Sequence, residues 1–361
     1  MHSLSFNIKL FDIEAKQYNA NTRMYVCLKR TAHVILTLFL LFSGQSLMAG
    51  NFDFVVAQDG SGNFNSIQKA IDACKAFPDT RVIIFVKNGI YQEKLQVPSC
   101  NTQLSIIGES AEKTIISYND YFDKINRGRN STFYTYTLLV QANDFRLENI
   151  TVENTAGAVG QAVALHVEGD RCVFHNCRFL GNQDTVYAAG KFSRQYFSNC
   201  FIEGTTDFIF GEATALFEKC EIYCKADSYI TAASCPEGKP FGFVFLSCKL
   251  SAADGVKKVY LGRPWRIYAR VAYMNCEMGS FICPEGWHNW SKPESMKTTV
   301  FAEYNNSGPS ANTQQRIVWS QKLNDKEASI YNKDNIFTPL GWEVSSEKKW
   351  YIPDLNEVKT L

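Results

Sequence analysis

One short pattern, an aromatic residue followed three places later by cysteine, recurs five times and limits what this chain can fold into. Phe174 precedes Cys177, Phe197 precedes Cys200, Phe217 precedes Cys220, Phe245 precedes Cys248 and Tyr273 precedes Cys276, while Leu147 with Ile150 fits an upstream copy. The copies follow one another at 27, 23, 20, 28 and 28 residues, irregular for a strict repeat but suited to one supersecondary unit with loops of varying length. Short β-rich runs bounded by turn residues accompany the units, among them Leu138 to Val140, Ala162 to Val167, Ala215 to Phe217, Gly242 to Phe245 and Val271 to Tyr273. No long helix separates them. Parallel strands at this spacing predict an all-β parallel β-helix in which each coil buries its inner face on its neighbours. An antiparallel sandwich is the alternative.

With 361 residues, 45% hydrophobic and 20% charged, the chain has the composition of a globular protein with a substantial core, and one main domain over residues 50–361 is expected. Ile67, Ala70, Ile71 and Cys74 follow helical spacing behind Asn65 or Ser66, predicting a helix from Asn65 to Phe77 that caps the open end of the solenoid. From Cys283 onward the ladder is lost, and Pro, Asn, Ser and Trp predict long C-terminal loops and a closing tail. At the other end, the apolar run His33 to Phe42 follows Lys29-Arg30 and precedes small residues ending at Ala49. That order predicts an export signal over residues 1–49, with Met24 a possible true start. The run is shorter than the about 20 residues of a membrane span, so a secreted or periplasmic protein is expected.

Removing residues 1–49 leaves 32 basic against 34 acidic residues, and so near-neutral a chain gives no electrostatic case for nucleic acid or anionic membrane as partner. Eleven of the twelve cysteines survive, five of them on the ladder, where a small buried side chain serves packing better than metal binding. If one disulfide forms, the shortest spacing favours Cys200 with Cys220.

Asp184 and Asp207 each fall seven residues after their ladder cysteine, so stacked coils place the two carboxylates at equivalent positions on strands about 4.8 Å apart. Two carboxylates so close share a proton, and their acidities split: one serves as acid, the other as nucleophile or base. Solvated rim turns are the alternative. Phe208-Ile209-Phe210 would desolvate Asp207, and Gln183 offers an amide beside Asp184, which favours a prepared site. Asp227 lies seven residues after Cys220 and is either a third stacked carboxylate or, in its more polar surroundings, a rim residue. Arg263, in Leu261-Gly262-Arg263-Pro264-Trp265, is suited to clamp a carboxylate, and Trp265 to stack on a sugar; a surface arginine beside a core tryptophan is the other possibility. The five histidines show no metal-ligand spacing, and neither a G-x-S-x-G elbow nor a phosphate loop occurs.

Seven motifs in order extend this picture: Asp59 to Phe64, Gly89 to Lys94, Asn149 to Gly157, Gln161 to Leu165, Gly181 to Thr185, Asp207 to Gly211 and Leu261 to Trp265. In them the chain resembles the pectin methylesterases, or pectinesterases, from about Phe52 to Trp342. The resemblance implies a right-handed parallel β-helix that removes methyl groups from methyl-esterified galacturonate in pectin, with no metal or organic cofactor. It implies Asp207 as nucleophile, Asp184 as acid and then base, Gln161 and Gln183 as oxyanion donors, and Arg263 as the group that orients Asp207. Trp265, Phe210, Tyr187 and Thr231 would line the sugar groove. His166 stands where many members carry Arg, and Asn63 where an acidic residue is common. With no inhibitory pro-region after its leader, the chain resembles the short form, and a monomer is the simplest expectation. The alternatives are a β-helical pectate lyase or polygalacturonase, and a non-catalytic carbohydrate-binding β-helix. The lyase would need a calcium site, and an inverting hydrolase carboxylates about 6.5–9.5 Å apart.

Overall fold

The computed structural model describes residues 52–338 and 349–351, so the export signal expected in residues 1–49 lies outside the described residues. The described residues fall in one compact unit, Phe52–Pro353. Within it every third strand is a neighbour. Val82–Val86 pairs with Leu104–Gly108, and the same sheet continues through Arg146–Glu148, Cys172–His175, Arg194–Ser198, Thr214–Glu218, Phe243–Leu246 and Arg270–Met274. All the pairings are parallel, and sheets of eleven, seven and eight strands form three walls. Each full coil gives one strand to each wall of a right-handed parallel β-helix.

The aromatic ladder is the spine of the core. Ring centroids of Phe174, Phe197, Phe217, Phe245 and Tyr273 follow one another at 4.6, 4.7, 4.7 and 4.4 Å, near-parallel and fully buried. In-register strands repeat at about 4.8 Å, so identical rings stack without adjustment. Leu147 occupies the same position one coil earlier, opposite Phe174. Each ladder cysteine points its thiol at the carbonyl of the preceding coil's ladder residue, as Cys177 does to Leu147 (3.4 Å) and Cys248 to Phe217 (3.2 Å). The residue just before the cysteine, or before Ile150 in the upstream copy, turns the chain between walls: Asn149, Asn176, Asn199, Lys219, Ser247 and Asn275 are all left-handed, with φ of 50 to 55°. Asparagine visits this region at low cost, and Asn176 Nδ2 also donates to Asn149 Oδ1 at 2.7 Å.

Three expectations are corrected. Cys200 and Cys220 are free thiols, each turned to a carbonyl, because stacked equivalent positions aim their side chains in the same direction rather than at each other. The helix near the start is shorter than expected, Ile67–Asp72 rather than Asn65 to Phe77. Ser66 caps it, and the Glu93 carboxylate accepts from the N–H groups of Ile67 and Gln68, both at 3.0 Å. It ends at Ala73, whose N–H closes the last turn on Lys69 O at 3.2 Å, and Phe77, left-handed, then bonds through its N–H to Cys100 O. Ile67, Ala70 and Ile71 still bury against the first coil.

The third correction concerns the segment after Cys283, which is not only loops: Val300–Tyr304 adds a further rung beside Arg270–Met274. The aromatic position there is taken by Glu303, opposite Tyr273 and 3% exposed. Its carboxylate accepts from Arg316 Nε at 2.8 Å, Arg316 Nη2 at 3.2 Å and Trp287 Nε1 at 3.1 Å. Removing one member of a buried ion pair leaves the other charge stranded. Arg316→Ala is therefore expected to lower unfolding free energy by about 3–5 kcal/mol, read by denaturant titration.

Candidate active site

Asp184 and Asp207 occupy equivalent places on adjacent coils, immediately before strands Val186–Ala188 and Ile209–Gly211 of the seven-stranded wall. Val186 pairs with Ile209 and Tyr187 with Phe210, which sets the two aspartates opposite one another at one strand spacing, about 4.8 Å between backbones. Each is left-handed, with φ of 65° and 50°, and each N–H is fixed to the next coil, Asp184 to Thr206 O and Asp207 to Tyr229 O. Such backbone is tolerated by aspartate and held here on both sides. The carboxylates are 8% and 5% exposed.

Arg263, on Tyr260–Pro264, grips Asp207 with two parallel bonds: Nε to Oδ1 at 2.9 Å and Nη2 to Oδ2 at 2.6 Å. This settles the arginine as a clamp rather than a surface charge. Its guanidinium packs over two rings, 4.0 Å from the Tyr229 centroid and 3.7 Å from that of Trp290. The electrostatics divide the pair. Burial, and then the charge of Asp207, push the Asp184 carboxyl well above the usual range. Burial raises Asp207 as well, but less, because Arg263 opposes it by hydrogen bond and charge, which makes Asp207 the readier of the two to ionise.

Gln161 and Gln183 pair across adjacent coils through a parallel bridge beside the aspartates. Among the described residues neither side-chain amide is committed to a protein hydrogen bond, which leaves both able to donate. Along the wall Tyr187 stacks on Phe210 (4.6 Å, 10°), with Trp265 5.9 Å from Phe210 and His166 4.6 Å from Tyr187. Val163 and Ala232 complete the apolar face under Phe133 and Tyr136. A cavity of about 570 Å³ lined by Arg146, His175, Tyr196, Glu218 and Lys333 includes none of these residues.

Two sequence candidates stand elsewhere. Thr231 is opposite Ile209 and 0% exposed; its hydroxyl donates inward to Leu261 O at 2.9 Å, and Ala232 takes the outward place beside Phe210. Strand side chains alternate, so one residue of register exchanges inside for outside. Gly262 is required there, since a Cβ would fall 2.0 Å from Thr231 Oγ1. Asp227 is a rim residue and not a third stacked carboxylate: its exposed side chain accepts from the N–H groups of Lys257 and Lys258 at 2.7 and 2.9 Å. Two extra residues in that coil bring Tyr229, not Asp227, to the place after Asp207. Trp290 was not foreseen. It arrives from a loop whose sequence carries no repeat, whereas Tyr229 was within reach of the register count.

Coil geometry and site chemistry together define the class: a β-helical enzyme in which paired carboxylates stand beside an aromatic face. The family model for pectinesterase matches residues 53–338, and the chain belongs to the pectinesterase family. Pectinesterase 31 of Arabidopsis thaliana is 39% identical over 292 residues, covering 79% of this chain and 92% of the relative. A probable pectinesterase/pectinesterase inhibitor 13 of the same plant is also 39% identical, but this chain covers only 47% of its length. Among solved structures, the pectin methylesterase from carrot superposes with a TM-score of 0.76 at 31% identity, over 81% of this chain and 95% of that one.

Proposed function

We propose that this chain hydrolyses the methyl esters of galacturonate units in pectin, releasing methanol and pectate, with Asp207 as nucleophile and Asp184 as acid and base. The observation that carries the assignment of roles is the asymmetry of the pair: Asp207 is gripped by a two-bonded arginine, while Asp184, with no such fork among the described residues, is pushed further toward holding its proton. Asp207 attacks the ester carbonyl, and the charge gathering on the carbonyl oxygen is met by the Gln161 and Gln183 amides. Asp184 then protonates the departing methanol. Asp184 is raised by burial first and by the Asp207 charge second; once Asp207 is acylated that charge is gone, which eases ionisation of Asp184 and lets it deprotonate the incoming water. Water attacks the substrate's acyl carbon, frees Asp207 and leaves a galacturonate. Trp265, Phe210 and Tyr187 form the platform for the sugar rings.

One in-register coil spacing separates the aspartates, too close for the gap of about 6.5–9.5 Å that an inverting glycosidase needs for its water. Incubation with highly methylated pectin tests the function: methanol should appear with no shortening of the chain and no unsaturated ends. Depolymerisation would instead favour a lyase or polygalacturonase. Replacing Gln183 by Ala is expected to lower kcat about 10²- to 10³-fold with little change in KM, measured by methanol release.

Residues 1–49 would act as the export leader, residues 50–361 as one catalytic domain, and the mature enzyme as a monomer outside the cytoplasm. Among the described residues no helix is long and apolar enough to cross a membrane. Cell fractionation and light scattering test these points.

A further inference from the structure

We infer that Trp290 and Tyr229 are positioning residues for the reaction, forming an aromatic clamp that holds Arg263 oriented against Asp207. The inference rests on the catalytic roles proposed above. The guanidinium carbon sits 4.0 Å from one ring centroid and 3.7 Å from the other, so two ring faces pack on the cation while its Nε and Nη2 make the fork to Asp207. Two rings packed this closely restrain tilting of the guanidinium and shield part of it from water.

The two rings reach the cation by different routes. Tyr229 occupies the coil after Asp207 at its register position, and its carbonyl accepts the Asp207 N–H, so one residue supports both the nucleophile's backbone and its partner's side chain. Trp290 comes from a loop anchored to the arginine's own strand. Gly262 bridges Trp287, the His288 N–H donates to Gly262 O, and Lys292 Nζ donates to the carbonyls of Pro264 (3.2 Å) and Trp265 (3.0 Å). Trp290 and Ser291 are both left-handed, φ 55°, with the Trp290 N–H donating to His288 Nδ1 at 2.9 Å. A bulky aromatic residue pays for that conformation only where the surroundings fix it. Arg263 therefore moves with its loop, and a loosened clamp would reach the chemistry through Asp207.

The test compares Trp290→Leu, which fills space without a ring face, with Trp290→Phe, which restores one; circular dichroism and thermal melting confirm that both fold. On methyl-esterified pectin, Trp290→Leu is expected to lower kcat about 3- to 30-fold with KM little changed. The acid limb of its kcat/KM profile should move to higher pH, because a loosened fork stabilises ionised Asp207 less. Trp290→Phe should recover most of both effects. A kcat and acid limb unchanged in the Leu variant, a loss confined to KM, or a Phe variant no better than Leu would each overturn the clamp. Asp207→Ala measured alongside separates the failures: if it stays active, the catalytic assignment is wrong, and if it is inactive while Trp290→Leu matches wild type, only the clamp is.

Discussion

Asp207→Ala is expected to lose turnover of methyl-esterified pectin by about 10⁴- to 10⁶-fold, the scale on which enzymes lose rate when a covalent nucleophile is deleted. Alanine keeps the β-helix, because the strand that follows, Ile209–Gly211, is tied on both sides to its neighbouring coils. What it removes is the member of the aspartate pair that a forked arginine grips. Measuring methanol release against circular dichroism separates lost chemistry from lost fold, and a variant that kept wild-type rates would remove Asp207 from the mechanism.

The second large effect is expected at Asp184. Asp184→Ala should depress methanol release about 10³-fold or more, since methoxide is a poor leaving group without a proton and the attacking water loses its base. The defect should depend on the leaving group. An aryl ester of the same sugar departs without protonation, so acylation of Asp207 recovers while deacylation stays blocked. The pH profile adds a second reading. Wild-type kcat/KM should fall below the ionisation of Asp207 and above that of Asp184, and the alkaline limb should vanish in Asp184→Asn. Stability has a matching sign. Because burial raises Asp184 above its ordinary 3.8, the native state binds that proton more tightly than the unfolded chain. The resulting stabilisation is fully present below pH 3.8 and is lost as pH rises through the higher native value, so Asp184→Asn should flatten this dependence.

The coils and the carboxylate pair were legible because both rest on a strict physical period. Rings that stack at one strand spacing must recur at one position per coil, and Phe174 through Tyr273 do so. Counting from the ladder cysteines worked for Asp184 and Asp207, whose coils have equal lengths between cysteine and strand. It failed for Asp227, where two extra residues shift the register and leave the carboxylate on the rim. Thr231 shows the same sensitivity at finer scale, where one residue along a strand exchanges the groove for the interior. The last rung was hidden because its aromatic position holds Glu303, a charge that composition assigns to the surface until Arg316 and Trp287 are seen around it. Trp290 belongs to a third kind: a loop residue whose place depends on tertiary contacts with Gly262 to Trp265, which leave no periodic trace.

Mass spectrometry of the trapped intermediate tests the central claim most directly. Asp184→Ala, incubated briefly with an aryl ester of oligogalacturonate, quenched in acid and digested with trypsin, should carry a galacturonoyl adduct on the peptide of residues 195–219, with fragmentation placing it on Asp207. An adduct on another carboxylate, or an unmodified peptide from an enzyme that turns the ester over at full rate, would contradict the division of labour between the two aspartates.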